Sequence, residues 1–134
     1  MPSPTQRTIK YFNAHGWQIG IVERFNPHVG EYGIRQDLFG FVDLVAFKGE
    51  QVLFVQATSS GVASRIDKIL DNEIAHAWLD GGHYIHVIGW RELAAYKIDG
   101  TRAKRGTWTP RNVLLWKENG NLERAETDTL LEDW

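Results

Sequence analysis

The sequence predicts a single α/β domain whose core runs helix, three strands, helix, strand, with a central mixed sheet flanked by helices. Three observations carry this. Residues 39–47 and 51–58 are nearly continuous apolar runs joined by Lys48-Gly49-Glu50, the pattern of central strands covered on both faces. Directly after them, Val62, Ile66, Ile69, Leu70, Ile74, Ala77 and Trp78 recur at helical spacing and supply a covering layer. With 134 residues, 43% of them apolar, the chain suits one core burying roughly two-thirds of the unfolded surface.

The elements follow in order. Ser3-Pro4-Thr5-Gln6 reads as a helix start, with Ser as N-cap, Pro in the first turn and Gln closing a capping box, so a helix is expected over 4–15. Trp17, Ile19 and Ile21 alternate with Gln18 and Gly20, predicting a first strand over 17–25. The loop 26–36 holds Pro27, Gly30 and Gly33 and is expected to rim a site. If Phe47 faces Val52 across the next turn, Asp43 lies opposite Gln56, and Gln56 and Thr58 point to the same side as Asp43. The helical segment 62–80 divides at Asp71-Asn72 and stops at Gly81-Gly82, before a fourth strand over 83–90. Residues 113–117 read as an edge strand, the remainder as loop, and 118–134 as an acidic tail following a domain over 1–117.

Composition narrows the chemistry. The chain has no cysteine, so disulfides and thiolate metal sites are excluded, and oxygen and imidazole donors remain for a hard cation. No stretch approaches the roughly 18 apolar residues of a membrane span, and the N-terminus lacks a signal-peptide pattern, so the expected location is cytoplasmic, away from membranes. A net charge of -2 argues against holding nucleic acid by overall charge, but the charge is uneven. Lys97, Arg102, Lys104, Arg105 and Arg111 face only Asp99 in their segment, whereas Glu118, Glu123, Glu126, Asp128, Glu132 and Asp133 face only Arg124. The basic segment reads as a solvated loop or as a phosphate-facing one. Trp108 within it could stack on an exposed base, whereas Trp17, Trp78 and Trp90 read as core.

Asp43 most needs explanation, because a charge inside a buried strand is costly unless it is paired or holds a metal. Val42-Asp43-Leu44-Val45-Ala46 resembles the P-D-V-V-A pattern, and Phe54-Val55-Gln56-Ala57-Thr58 the L-I-E-V-K pattern, of PD-(D/E)XK nucleases in their Holliday-junction-resolvase-like and VRR-NUC-like branch. The similarity extends from Thr8 to Gly89. It implies a restriction-endonuclease-like fold and a nuclease that hydrolyses DNA with Mg²⁺ or Mn²⁺, structure-specific in the manner of resolvases and working as a homodimer. By position, Asp43 is then the principal metal ligand, Gln56 holds the place of the family Glu, and Thr58 that of the family Lys. Gln brings no charge, so Asp37 or Glu23 is expected to add a carboxylate, and Lys68 or Arg65 to replace the missing Lys. Arg24, Arg35, Arg65, Lys68, Arg102, Lys104 and Arg105 are the candidates for contacting nucleic acid.

Each residue also has a plainer reading. Asp43 could pair with Arg24 or Arg35 inside the sheet, Asp37 could serve a turn, Gln56 and Thr58 could bond each other, and Arg65 and Lys68 could be a solvated helix face. The five histidines offer no zinc site, since His83 and His86 are three apart on a strand and face opposite ways. The rival to a nuclease is the same fold without catalysis, serving as a DNA-binding or protein-interaction module. A third reading is an adaptor whose acidic tail imitates nucleic acid.

Overall fold

Ser3 caps the first helix, α1 (Pro4–Ala14), reciprocally: its Oγ accepts from the Gln6 amide at 3.1 Å while Gln6 Oε1 accepts from the Ser3 amide at 2.9 Å. The computed structural model, which describes residues 2–127 and 130, continues through β1 (Gln18–Ile21), β2 (Arg24–Asn26), β3 (Ile34–Gln36), β4 (Leu44–Lys48) and β5 (Gln51–Thr58). Then follow α2 (Val62–Leu70), α3 (Glu73–Asp80), β6 (Tyr84–Leu93), β7 (Thr107–Glu118) and β8 (Asn121–Thr127). Six strands make one mixed sheet in the order β1-β4-β5-β6-β7-β8; β5 and β6 are parallel, the other neighbours antiparallel. β2 and β3 form a separate ribbon. No helix among the described residues is long and apolar enough to cross a membrane.

Side-chain alternation sorts the apolar residues into two cores. Leu44, Ala46, Leu53, Val55 and Ala57 pack with Phe12 of α1, Trp17, Ile88 and Leu114. Val45 and Phe54, with Ile85, Val87 and Val113, pack against Val62, Ile66 and Ile69 of α2 and Ala75 and Leu79 of α3. The chain is therefore an α/β protein with α1 on one face of the sheet and α2 and α3 on the other, and β5 is apolar from Val52 to Val55 because both faces are covered. Asp43, Gln56 and Thr58 share the parity of Val45 and Phe54, which puts them on the α2 face.

The register expected for the central hairpin is the one observed: Phe47 pairs with Val52 and Leu44 with Val55. The helical segment divides where Asn72 becomes the N-cap of α3, its Oδ1 accepting from the Ile74 and Ala75 amides.

Other expectations are corrected. The strand expected over 17–25 breaks at Val22 and Glu23, whose amides both bond the Asp43 carbonyl, and the chain then leaves the sheet for the ribbon. The strand expected from Phe39 begins at Leu44, because 38–42 closes into a tight turn bridged between Leu38 and Val42. Residues 113–117 lie in an interior strand, since β8 pairs along β7 from Asn112 to Glu118. The stretch read as an acidic tail thus contributes the edge strand β8; residues 128, 129 and 131–134 of it lie outside the described residues. Trp108 is half-buried with the Arg7 guanidinium 4.0 Å over its ring, so that face is already taken.

Candidate metal centre

Asp43 stands one residue before β4, with its backbone bonded on both sides: its amide donates to the Val55 carbonyl at 3.0 Å, and its carbonyl accepts from Val22 and Glu23. These bonds fix the side chain at the end of the sheet where β5 finishes. They also carry Glu23, just past the end of β1, to its side. Asp37 arrives from the other direction, between the ribbon and the turn 38–42. Carboxylate oxygens of Glu23, Asp37 and Asp43 lie within 4.8 Å of one another.

Asp43 is 6% exposed and Gln56 3%. Asp43 Oδ2 accepts from Gln56 Nε2 at 2.8 Å and from the Ala57 amide at 3.0 Å. Gln56 spends its N–H on Asp43, and its carbonyl oxygen makes no hydrogen bond among the described residues. Burial, a hydrogen bond that the protonated Asp43 carboxyl donates to Asp37, and the negative charges of Asp37 and Glu23 push the Asp43 carboxyl up from 3.8 to about 7, with only the Ala57 amide acting against them. Carboxylates so crowded repel each other unless a proton or a cation sits among them.

The cluster lines a pocket of about 450 Å³ together with Gln56, Thr58, Ser59, Arg35, Arg65, Lys68 and the start of α1 at Ser3, Pro4 and Thr5. Every candidate on the hairpin and α2 therefore converges on one cavity. The plainer readings fare differently. Arg35 bonds Glu23 at 3.0 Å and Arg24 bonds Gln36 at 3.3 Å, so neither neutralises Asp43 by a direct pair. Thr58 does not bond Gln56: its Oγ1 donates to the Ser60 carbonyl and accepts from the Ser60 amide at 3.1 Å, shaping the turn into α2. Arg65 and Lys68 make no ion pair among the described residues and both line the pocket.

The remaining cations are elsewhere. Arg24 lines an adjoining cleft of about 670 Å³ that shares Arg35, Asp37 and Lys68 with the pocket. Arg102, Lys104 and Arg105 belong to the connection between β6 and β7; Arg102 bridges to Tyr96, and Arg105 lines a different cleft with Arg7, Glu92 and Trp108. The Glu23–Arg35 pair and the exposed Phe39 at the adjoining cleft were not marked by sequence reasoning. Glu23 to Arg35 is a contact across the ribbon, and no local pattern announces it.

His86 lies in the opposite core. It is 1% exposed, its Nε2 is 2.8 Å from Asn112 Oδ1, and burial pulls its pKa down to about 4. It is held neutral and takes no part in the cluster.

The donor set suits a hard divalent ion: carboxylate and amide oxygens with no sulfur or imidazole. Bonds of about 2.1 Å to an octahedral ion place cis oxygens about 3.0 Å apart and trans oxygens about 4.2 Å apart, so three carboxylate oxygens within 4.8 Å of one another would draw inward to close around one. No family model, curated protein or solved structure matches this chain.

Proposed function

We propose that the protein is a metal-dependent nuclease of the PD-(D/E)XK type, with a restriction-endonuclease-like core, that hydrolyses DNA phosphodiester bonds. The observation that carries this is three carboxylates gathered at the end of the central hairpin, in one pocket with two cations that have no acidic partner among the described residues. Asp43, Asp37 and Glu23, with the Gln56 carbonyl, would hold Mg²⁺ or Mn²⁺. When bound, such an ion supplies an acidified water and positive charge at the phosphate. The chain's own part is to supply charge from the other side. Lys68 and Arg65, a turn apart on α2, stabilise negative charge growing on the phosphate oxygens, the task left open by Thr58. Arg35 restrains Glu23 and completes the positive rim.

A second reading has an observation of its own. The buried Gln56–Asp43 hydrogen bond ties these two side chains to each other without a metal, as a catalytically lapsed fold that binds DNA or a protein would allow.

The test is incubation of the protein with supercoiled, linear, single-stranded and branched DNA in Mg²⁺, Mn²⁺ or EDTA, beside Asp43→Ala. Cleavage in metal that is lost in EDTA and in the variant is expected. Cleavage surviving Asp43→Ala sinks the site, and DNA binding without cleavage in either metal favours the lapsed fold. Lys68→Ala is expected to lower kcat roughly 10²-fold with a smaller change in KM, and Lys68→Arg to recover part of it. A kcat that ignores Lys68 removes that residue from the mechanism.

A further inference from the structure

The turn 38–42 carries an aromatic residue where the backbone disfavours one. Phe39 has φ 57° and Gly40 φ 83°, and the Phe41 amide bonds the Leu38 carbonyl at 3.2 Å. Two successive positive φ values closed by such a bond belong to the type I′ pattern, in which Asn-Gly is the common pair because a bulky side chain crowds its own backbone. Phe39 is held there: Asn72 Nδ2 donates to its carbonyl at 2.8 Å while the same side chain caps α3. The ring nevertheless stays 47% exposed.

Its inner neighbours form a column. Phe39 lies 6.2 Å from Phe54, Phe54 stacks on Trp78 at 3.8 Å, and Trp78 stacks on His83 at 3.9 Å. Phe39 is the end of this aromatic series at the cleft, which it lines with Arg24, Arg35 and Lys68. The cleft, about 670 Å³, lies within the range of roughly 300–1,000 Å³ that accommodates small organic ligands. It shares Arg35, Asp37 and Lys68 with the carboxylate pocket. Phe39 is two residues from Asp37, at most about 7 Å along the backbone. A flat apolar face beside cations, one short step from a phosphate-hydrolysing centre, matches an unpaired base joined to its own phosphate.

We propose that Phe39 is a stacking platform for an unpaired base next to the scissile phosphate, and that the substrate class is therefore DNA with a single-stranded segment at the site. This rests on the nuclease reading and adds the specificity residue to it. Within a duplex, base faces are covered by their neighbours, so Phe39 selects strands whose bases are free.

The test pairs two variants. Phe39→Gly suits the positive φ and removes the ring; Phe39→Trp keeps a stacking face. With Ca²⁺ in place of Mg²⁺, each is titrated against a single-stranded oligonucleotide carrying 2-aminopurine and against a blunt duplex of the same sequence. The expected result for Phe39→Gly is roughly tenfold weaker binding of the single strand, loss of the 2-aminopurine quenching and unchanged duplex affinity, with Phe39→Trp restoring both affinity and quenching. A parallel Mn²⁺ titration of wild type and Asp43→Ala separates the two levels. If Mn²⁺ binds both equally, the metal centre and the nuclease reading fall. If Mn²⁺ binding depends on Asp43 while Phe39→Gly keeps single-strand affinity and quenching, the stacking platform alone is overturned. Equal weakening for single strand and duplex also overturns it, because that is the signature of a general disturbance.

Discussion

Asp43→Asn is expected to make the metal-free protein more stable at pH 8 and to abolish its response to Mn²⁺. Asn keeps the geometry: Oδ1 accepts from Gln56 Nε2 and the Ala57 amide in place of the carboxylate oxygen, while Nδ2 donates to Asp37. What it removes is a buried negative charge facing Asp37 and Glu23. In the folded protein the Asp43 carboxyl is raised from 3.8 to about 7. Between those values the native state holds more protons than the unfolded chain, so stability is present at acid pH and is lost as pH rises through about 7. The gain in Asp43→Asn therefore grows across that interval to on the order of 2–4 kcal/mol above it, roughly 7–14 °C in Tm. His86 acts in the opposite sense. Its folded pKa is lowered to about 4, so the unfolded chain takes up more protons below about 6.5 and stability is lost as pH falls toward 4. The two slopes offset one another in wild type, and the variant leaves the His86 slope without that offset. Thermal melts from pH 4 to 8 check this, and Mn²⁺ should stabilise wild type only, by about 2.7 kcal/mol at a hundredfold excess over Kd, which closes the gap, and by about 4.1 kcal/mol at a thousandfold excess, which reverses the order. A less stable Asp43→Asn at pH 8 would show that the charge is better compensated than its neighbours imply.

Those neighbours were legible to different degrees. The facing of Asp43 and Gln56 followed from strand alternation and from a turn closed by Gly49, both local, and Phe47 pairs with Val52 as that argument required. The split between α2 and α3 was readable because Asn72 caps the second helix by its own side chain. Phe39 was misread for a physical reason. Leu38-Phe39-Gly40-Phe41 is as apolar as a strand, and the positive φ at Phe39 is imposed from outside by the bond from Asn72, 33 positions away. β8 was missed because its residues are mostly exposed and polar, and it is held by backbone pairing to β7 in place of a buried face. The convergence of Glu23 with Asp37 and Asp43 depends on the break after β1, where two amides turn onto the Asp43 carbonyl. Alternation alone points to no such break.

The position of α2 offers the second large effect, because the helix that supplies Arg65 and Lys68 is seated on a glycine. Gly89 in β6 pairs with Thr58 in the parallel ladder, and a Cβ there would overlap Val62 Cγ2 in the first turn of α2. Val62 is 6% exposed and branched at Cβ, so it has few rotamers in which to yield. Gly89→Ala is accordingly expected to destabilise by about 1–3 kcal/mol through overpacking, roughly 4–11 °C in Tm, although alanine in a strand would otherwise be an improvement on glycine. Since the strand cannot move without breaking its pairing on both sides, the strain is relieved by lifting α2. Glu23, Asp37 and Asp43 belong to other segments and stay where they are. The variant should therefore keep its Mn²⁺ affinity while losing kcat, a split that general unfolding would not produce. Val62→Ala clears the overlapping methyl, so the double variant should recover kcat and be more stable than the sum of the two single losses by about 0.5–3 kcal/mol. Strict additivity in that cycle would mean that Gly89 and Val62 do not set the height of α2.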